Sequence, residues 1–157
     1  MSVAEAYQAI PHRRTVFDYE QATMPEDEKI YLHQMFAFID LAIVERVKML
    51  LWLSSPVARG APADNYDNIL SQIQSLKAPG PLQNFHNLVH DAISEQHKAL
   101  DEWQKNSLPA SMAQHPLVQS ASSKLHEAYS ILLSLYPQES QYNKEAFFDY
   151  LCALDFI

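Results

Sequence analysis

The sequence predicts an all-α protein: a single-domain helical bundle of about five main helices around one long central helix over 25–54, led by a short N-terminal helix and an extended arm. Three observations carry this. The chain of 157 residues has only two glycines and few runs with the two-residue alternation of strands. Its nine prolines punctuate segments of helical periodicity rather than interrupting them. Finally, Pro25 to Ser54, PEDEKIYLHQMFAFIDLAIVERVKMLLWLS, has no internal Gly or Pro, enough for about 45 Å of helix.

Ser2 and Glu5 have capping-box spacing, and Val3, Ala6, Tyr7 and Ile10 recur at i, i+3, i+4 and i+7 until Pro11. This is the short leading helix. His12 to Ala22 has no helical period and brings β-branched and aromatic residues, so it reads as an extended arm laid on the bundle. Residues 1–24 thus supply helix and arm, and 25–157 the bundle, within one domain. Thr23 with Glu26 matches a second capping box, and Glu26, Asp27 and Glu28 suit the positive end of a helix dipole. Along the central helix, Leu32, Phe36, Ile39, Ile43, Val47, Leu50 and Leu51 fill one arc. Met35, Phe38, Ala42, Met49 and Leu53 populate the opposite side, leaving a narrow strip with Gln34, Glu45 and Lys48 for water. A helix apolar nearly all round is normally enclosed, so the other helices are expected to form a shell on it.

Pro56, Gly60 and Pro62 make 55–63 a turn, after which Asp64 is placed to cap a helix with Tyr66, Ile69, Leu70, Ile73 and Leu76 on one face. Pro79, Gly80 and Pro81 break the chain again. From Leu82 to about Asn106, Phe85, Leu88, Val89, Ala92, Ala99, Leu100 and Trp103 define a second long helix. A polar loop over 107–116 precedes Leu117, Ala121, Leu125, Ala128, Leu132 and Leu135, at helical spacing until Pro137. The last segment, NKEAFFDYLCALDFI, is too apolar for a free tail and should dock on the core or on another subunit.

With 48% hydrophobic and 19% charged residues, the chain has the composition of a globular domain. The net charge of −8 and the scatter of basic residues, except at His12, Arg13 and Arg14, disfavour nucleic acid. Asp40, Glu45, Arg46 and Lys48 interrupt the longest apolar run, so no membrane span is expected. One cysteine, Cys152, excludes an intramolecular disulfide, and no basic N-terminal region precedes an apolar run, so a cytoplasmic location is the default. Nucleophile and phosphate-loop motifs are absent, and Cys152 in its apolar setting reads as packing.

Two features point to chemistry. His86, His90 and His97 fall within about 40° of one another on a helical wheel, with Asp101 continuing the stripe. His86 and His90, at i and i+4, form half a metal site, whereas His97 lies about 10 Å further along the axis. Completing the site requires ligands from another helix, with Asp40 and His33 the foremost types available and His126 and Glu127 also of ligating type. The competing reading is a partly exposed histidine stripe at a helix boundary. Asp40 itself projects into an apolar arc, so it should be largely buried and must find a donor. Its neighbours three and four residues away cannot donate, so the partner must come from elsewhere, with His86, His90, Arg13 and Arg14 the suitable types.

Two short runs resemble known families. ISEQHKALDEW, 93–103, resembles the opening helix of haemerythrin-type oxygen carriers, which implies His97 as a di-iron ligand. That family also needs two more histidine-rich helices and an H-x-x-x-E pair, which the chain after His97 lacks. HRRTVFDYEQATMPEDE is similar to the N-terminus of flavin-dependent nitroreductases, which implies Arg13 and Arg14 as holders of an FMN phosphate. The strands and glycine-rich segments of that family have no counterpart here, so neither family is adopted.

The expectation is therefore a non-enzymatic, cytoplasmic helical protein with an interaction or regulatory role. It needs no cofactor and associates through helical surfaces, as a homodimer or with a protein partner. The apolar excess of the central and terminal helices, with Phe147, Phe148, Tyr150, Leu151, Leu154, Phe156 and Ile157 in the latter, motivates this. The alternative is a bundle binding a transition metal or haem through His86 and His90, and a more remote one is a flavin protein.

Overall fold

The computed structural model describes residues 2–10, 15–53, 65–106 and 114–155. Among them are six α-helices and no strand: α1 (Val3–Gln8), α2 (Glu26–Leu53), α3 (Tyr66–Ser75), α4 (Gln83–Asn106), α5 (Pro116–Leu135) and α6 (Gln141–Asp155). A 3-10 turn, Gly80–Leu82, leads into α4. The turn expected over 55–63, the Asp64 cap and the loop segment 107–113 lie outside the described residues.

α2 is the organising element, as expected. α1, α3, α4 and α6 pack on it, while α5 makes its main contacts with α4 and α6. The α4–α5 pair is the most intimate in the molecule. Ala92 and Ala99 on α4, and Ala121 and Ala128 on α5, are fully buried and recur at seven-residue spacing. Such small side chains let two helix backbones approach closely.

The leading helix has the capping box read from the sequence: Ser2 Oγ accepts from the Glu5 amide, and the Glu5 carboxylate accepts from the Ser2 amide. The second box does not form. α2 starts at Glu26, with the Lys29 amide bonded to the Pro25 carbonyl. Thr23 is turned to Glu139 and Glu26 accepts from Tyr19, so tertiary partners have taken both side chains from the local motif. Asn65 precedes α3, and its amide is satisfied by Glu45 at 3.2 Å. At α5 the His115 ring caps the helix, with Nδ1 accepting from the Leu117 amide.

The arm is as expected where it is described, and its attachment explains itself chemically. Extended backbone has free amides that must be paired when buried. Here side chains of the α5–α6 turn and α6 do the pairing. Asp149 Oδ2 accepts from the Thr15 amide at 2.9 Å. Asn143 accepts from the Asp18 amide at 2.9 Å and donates to the Asp18 carbonyl at 3.2 Å, as a neighbouring strand would. Glu139 accepts from the Thr23 amide at 3.0 Å and hydroxyl at 2.8 Å. Burial alone would raise the Glu139 carboxyl, but hydrogen bonds from Asn143 and Thr23 outweigh it and hold the group below its ordinary value. Between these contacts Phe17 enters an aromatic nucleus, 5.5 Å from the Phe36 ring and 6.0 Å from Phe147. Phe36 in turn stacks on Tyr150 at 4.4 Å and 15°.

Two expectations about exposure are corrected. Of the expected water-facing strip of α2, Gln34 is exposed and Lys48 half-buried, but Glu45 is not at the surface. Glu45 is only 8% exposed, held by Lys48 Nζ at 3.1 Å and the Asn65 amide. Ile30, His33, Gln34, Ala37 and Leu41 face outward, so the shell around α2 is open on one side. The terminal helix is the reverse case. Phe147, Tyr150, Leu151 and Leu154 are all buried within the chain, Phe148 and Tyr142 are exposed, and Phe156 and Ile157 lie outside the described residues.

Phe17→Ala is expected to lower unfolding free energy by about 3–5 kcal/mol in urea titrations, because the arm has no other large side chain in the aromatic nucleus. Asn143→Ala, which strands the Asp18 amide and carbonyl, should cost about 1–3 kcal/mol.

Candidate functional site

The histidines of α4 have separate employments. His86, 7% exposed, meets α2 where its Nδ1 lies 2.8 Å from the Tyr31 hydroxyl. Burial pushes the Tyr31 phenol well above its ordinary value, so this partner is a neutral O–H at any ordinary pH. His90, one turn on, is half-buried with Nδ1 3.2 Å from Asp91 Oδ1. His97 stacks on Tyr66 of α3, with ring centroids 4.6 Å apart at 13°. The helix axis thus brings the expected i, i+4 pair to one face, and sends His97 to a different neighbour.

Asp40 and His33 sit on the part of α2 that meets the N-terminal segments. The Asp40 carboxylate accepts from the Tyr7 hydroxyl at 3.0 Å, and the His33 ring packs against Tyr19 at 5.6 Å. Asp40 is half-buried rather than largely buried, because α1 covers it with a short helix instead of a full neighbour. A partner does come from another segment, as required, and this one is a phenol. Tyr7 was visible in the apolar stripe of the leading helix, where its hydroxyl was overlooked as a donor. Arg13 and Arg14 lie outside the described residues. Among the described residues no three His, Cys, Asp or Glu side chains converge as a metal cage.

The most unusual group is one the sequence reading passed over. Arg46, on α2, is 1% exposed. Its Nη2 donates to the carbonyl of Ala153 near the end of α6, and Gln96 of α4, also buried, donates to the next carbonyl, Leu154, at 2.8 Å. These are carbonyls of the last turn, which have no partner within a helix and lie at its negative end. Arg46 Nε and Nη1 have no hydrogen-bond partner among the described residues. Burial pulls its guanidinium down to about 10, against the opposing pull of Tyr66 and Asp155, so the group is still a cation at neutral pH. The signal was in the sequence: Arg46 lies at i+4 from Ala42, i+7 from Ile39 and i−4 from Leu50, all on the apolar face.

Cys152 is half-buried between α5 and α6, and its thiol is pushed up by burial and by the carboxylates of Asp155 and Asp149. It is a neutral thiol rather than a nucleophile. No helix among the described residues is long and apolar enough to cross a membrane. No protein family, curated protein or solved structure matches this chain.

His86 is held below its ordinary value by burial and by neighbouring His90, so the unfolded chain takes up its proton first as pH falls. Stability should therefore decline as pH drops through about 6.5 toward the lower folded value, and His86→Gln should flatten that part of the profile in thermal melts between about pH 7 and 5. Arg46→Ala, which leaves a void and an unsatisfied Ala153 carbonyl, is expected to cost about 3 kcal/mol or more. Arg46→Met fills the stem volume without burying a charge, and should stay within about 1.5 kcal/mol of the parent in the same urea titration.

Proposed function

We propose that this protein is a non-enzymatic helical interaction protein that pairs with a second copy of itself through the outer face of α2. One observation carries the reading. The exposed side chains of α2 include Ile30, Gln34, Ala37 and Leu41, at successive steps of four, three and four residues, with half-buried Val44 and Lys48 continuing the row and with Ile30 44% and Leu41 45% exposed. This is the spacing by which one helix seats another in a coiled-coil seam. Large aliphatic side chains are seldom left in such a row on a helix facing water alone. Gln34 is the polar seam position that sets register, and Lys48, tied to Glu45 at 3.1 Å, closes one end. The partner surface is the same stripe, as a two-fold contact requires.

A second reading keeps one specific support. In both His86 and His90 the Nδ1 atom is engaged, by Tyr31 and Asp91, which is how a metal-ligating histidine is oriented when Nε2 binds the ion. On this reading a transition metal bridges the pair and takes its remaining ligands from outside the chain or from water. Zn2+ or Co2+ then raises the melting temperature of the parent and not of His86→Ala or His90→Ala.

For the leading proposal, light scattering at tens of micromolar should give twice the 18.0 kDa chain mass. The double variant Ile30→Glu, Leu41→Glu should give the single-chain mass with an unchanged helical circular dichroism spectrum. A parent protein that is monomeric at that concentration, or a variant that stays paired, overturns it.

A further inference from the structure

Between α5 and α6 lies a cavity of about 160 Å3, none of whose lining residues belongs to the seam or to the histidine pair. Buried Leu125 and Leu151 line it together with the rings of Tyr129 and Phe148, whose centroids lie 5.5 Å apart at 68°. Toward the end of α6 the lining becomes polar. Asp155 Oδ2 accepts a hydrogen bond from Ser122 Oγ at 3.0 Å and lies 3.4 Å from His126 Nε2. Asp155 Oδ1 has no hydrogen-bond partner among the described residues, and the Asp155 side chain keeps 23% of its surface exposed.

Each part of this lining selects for the same chemistry. An apolar space of this size is comparable to the engineered cavity of about 150 Å3 that accommodates a benzene ring. The Tyr129 and Phe148 rings, set edge to face, offer a surface against which a further ring or alkyl group packs. A carboxylate with an available oxygen at the rim supplies a charge-assisted acceptor for an N–H donor. The net charge of −8 works in the same direction at longer range.

We propose that the α5–α6 cavity is a binding site for a small organic cation, a primary ammonium joined by a short linker to one ring or alkyl group. The apolar group lies against Tyr129 and Phe148 and the ammonium is held by Asp155. Leu125 and Leu151 exclude water behind it. Cys152 is a wall of the site and takes no covalent part. The site is built from α5 and α6 and is independent of pairing through α2.

Phenethylammonium chloride, titrated into the full chain and followed by two-dimensional NMR, should give saturable shifts centred on Tyr129, Phe148 and Cys152. Neutral 2-phenylethanol should bind about tenfold more weakly, and the 3-phenylpropionate anion should not bind. Asp155→Asn keeps an acceptor for Ser122 and the shape of the cavity, and should cost the cation about tenfold while leaving the alcohol unchanged. The comparison of three probes on the parent protein stands even if that variant fails to fold. The proposal is overturned if no saturable shift appears by tens of millimolar, if cation and alcohol bind equally, or if Asp155→Asn leaves the cation's affinity unaltered.

Discussion

A guanidinium sealed from water must be met by negative potential, and in this protein that requirement decides where the last helix ends. Arg46 has no carboxylate in direct contact among the described residues; its one bonded partner is the Ala153 carbonyl, beside which Gln96 holds Leu154. The half-charge at the C-terminal end of α6 takes the place of a counter-ion. Three helices are thereby tied at one point: α2 through Arg46, α4 through Gln96 and α6 through its carbonyls. Such a tie constrains axial position, which greasy contacts alone leave loosely specified. The α6 register fixed there is the same register that places Phe147 and Tyr150 on Phe36, and Asn143 and Asp149 under the arm.

The bundle divides its polar work between the end of α6 and the stretch before it. At the C-terminal end, buried donors from α2 and α4 answer helix carbonyls. Before that end, from the α5–α6 turn to the middle of α6, buried acceptors on Glu139, Asn143 and Asp149 answer backbone amides of the arm. An extended segment can thus be built into an all-helical protein without any sheet, provided side chains are spaced to copy a strand's hydrogen bonds. Tyr136 adds a further cross-link from the end of α5, donating to Glu28 at 2.7 Å.

Helical class, number of elements and the core of each helix were legible because all rest on periodicity, which tertiary context seldom reverses over long segments. The first capping box was legible because Ser2 and Glu5 bond to each other and, among the described residues, no distant side chain draws either away. Thr23 and Glu26 carry an identical local signal and failed it, since Glu139 and Tyr19 are brought in from elsewhere in the chain. Charge was the other source of error. Glu45 reads as surface because charged residues usually are, and Arg46 draws no notice although it lies in line with Ile39 and Leu50. Which neighbours cover which part of α2 was not legible at all. Ile30 and Leu41 look as apolar as Leu32 and Ile43, and only the packed helices show that the former pair is left outside. The histidine pair was placed correctly on one face, but its hydrogen-bond partners Tyr31 and Asp91 depend on packing and rotamer and leave no periodic trace.

The arm's attachment also sets an order of events during synthesis. Thr15, Asp18 and Thr23 bond to residues that follow them by 134, 125 and 116 positions, with Thr15 and Asp18 contributing their backbone amides. At a translation rate of about 5–20 residues per second, the arm leaves the ribosome roughly 6 to 27 s before its acceptors are made. Throughout that interval Phe17 has Phe36 but not Phe147 to pack on, and the aromatic nucleus lacks its last helix. Closure of the core joins the beginning of the chain to its far end and is a late, long-range event with the loop entropy that implies. A nascent chain stopped short of residues 139–149 therefore cannot bury its own arm. It exposes an extended, amide-rich and apolar segment of the kind that chaperones and proteases recognise in unfinished chains.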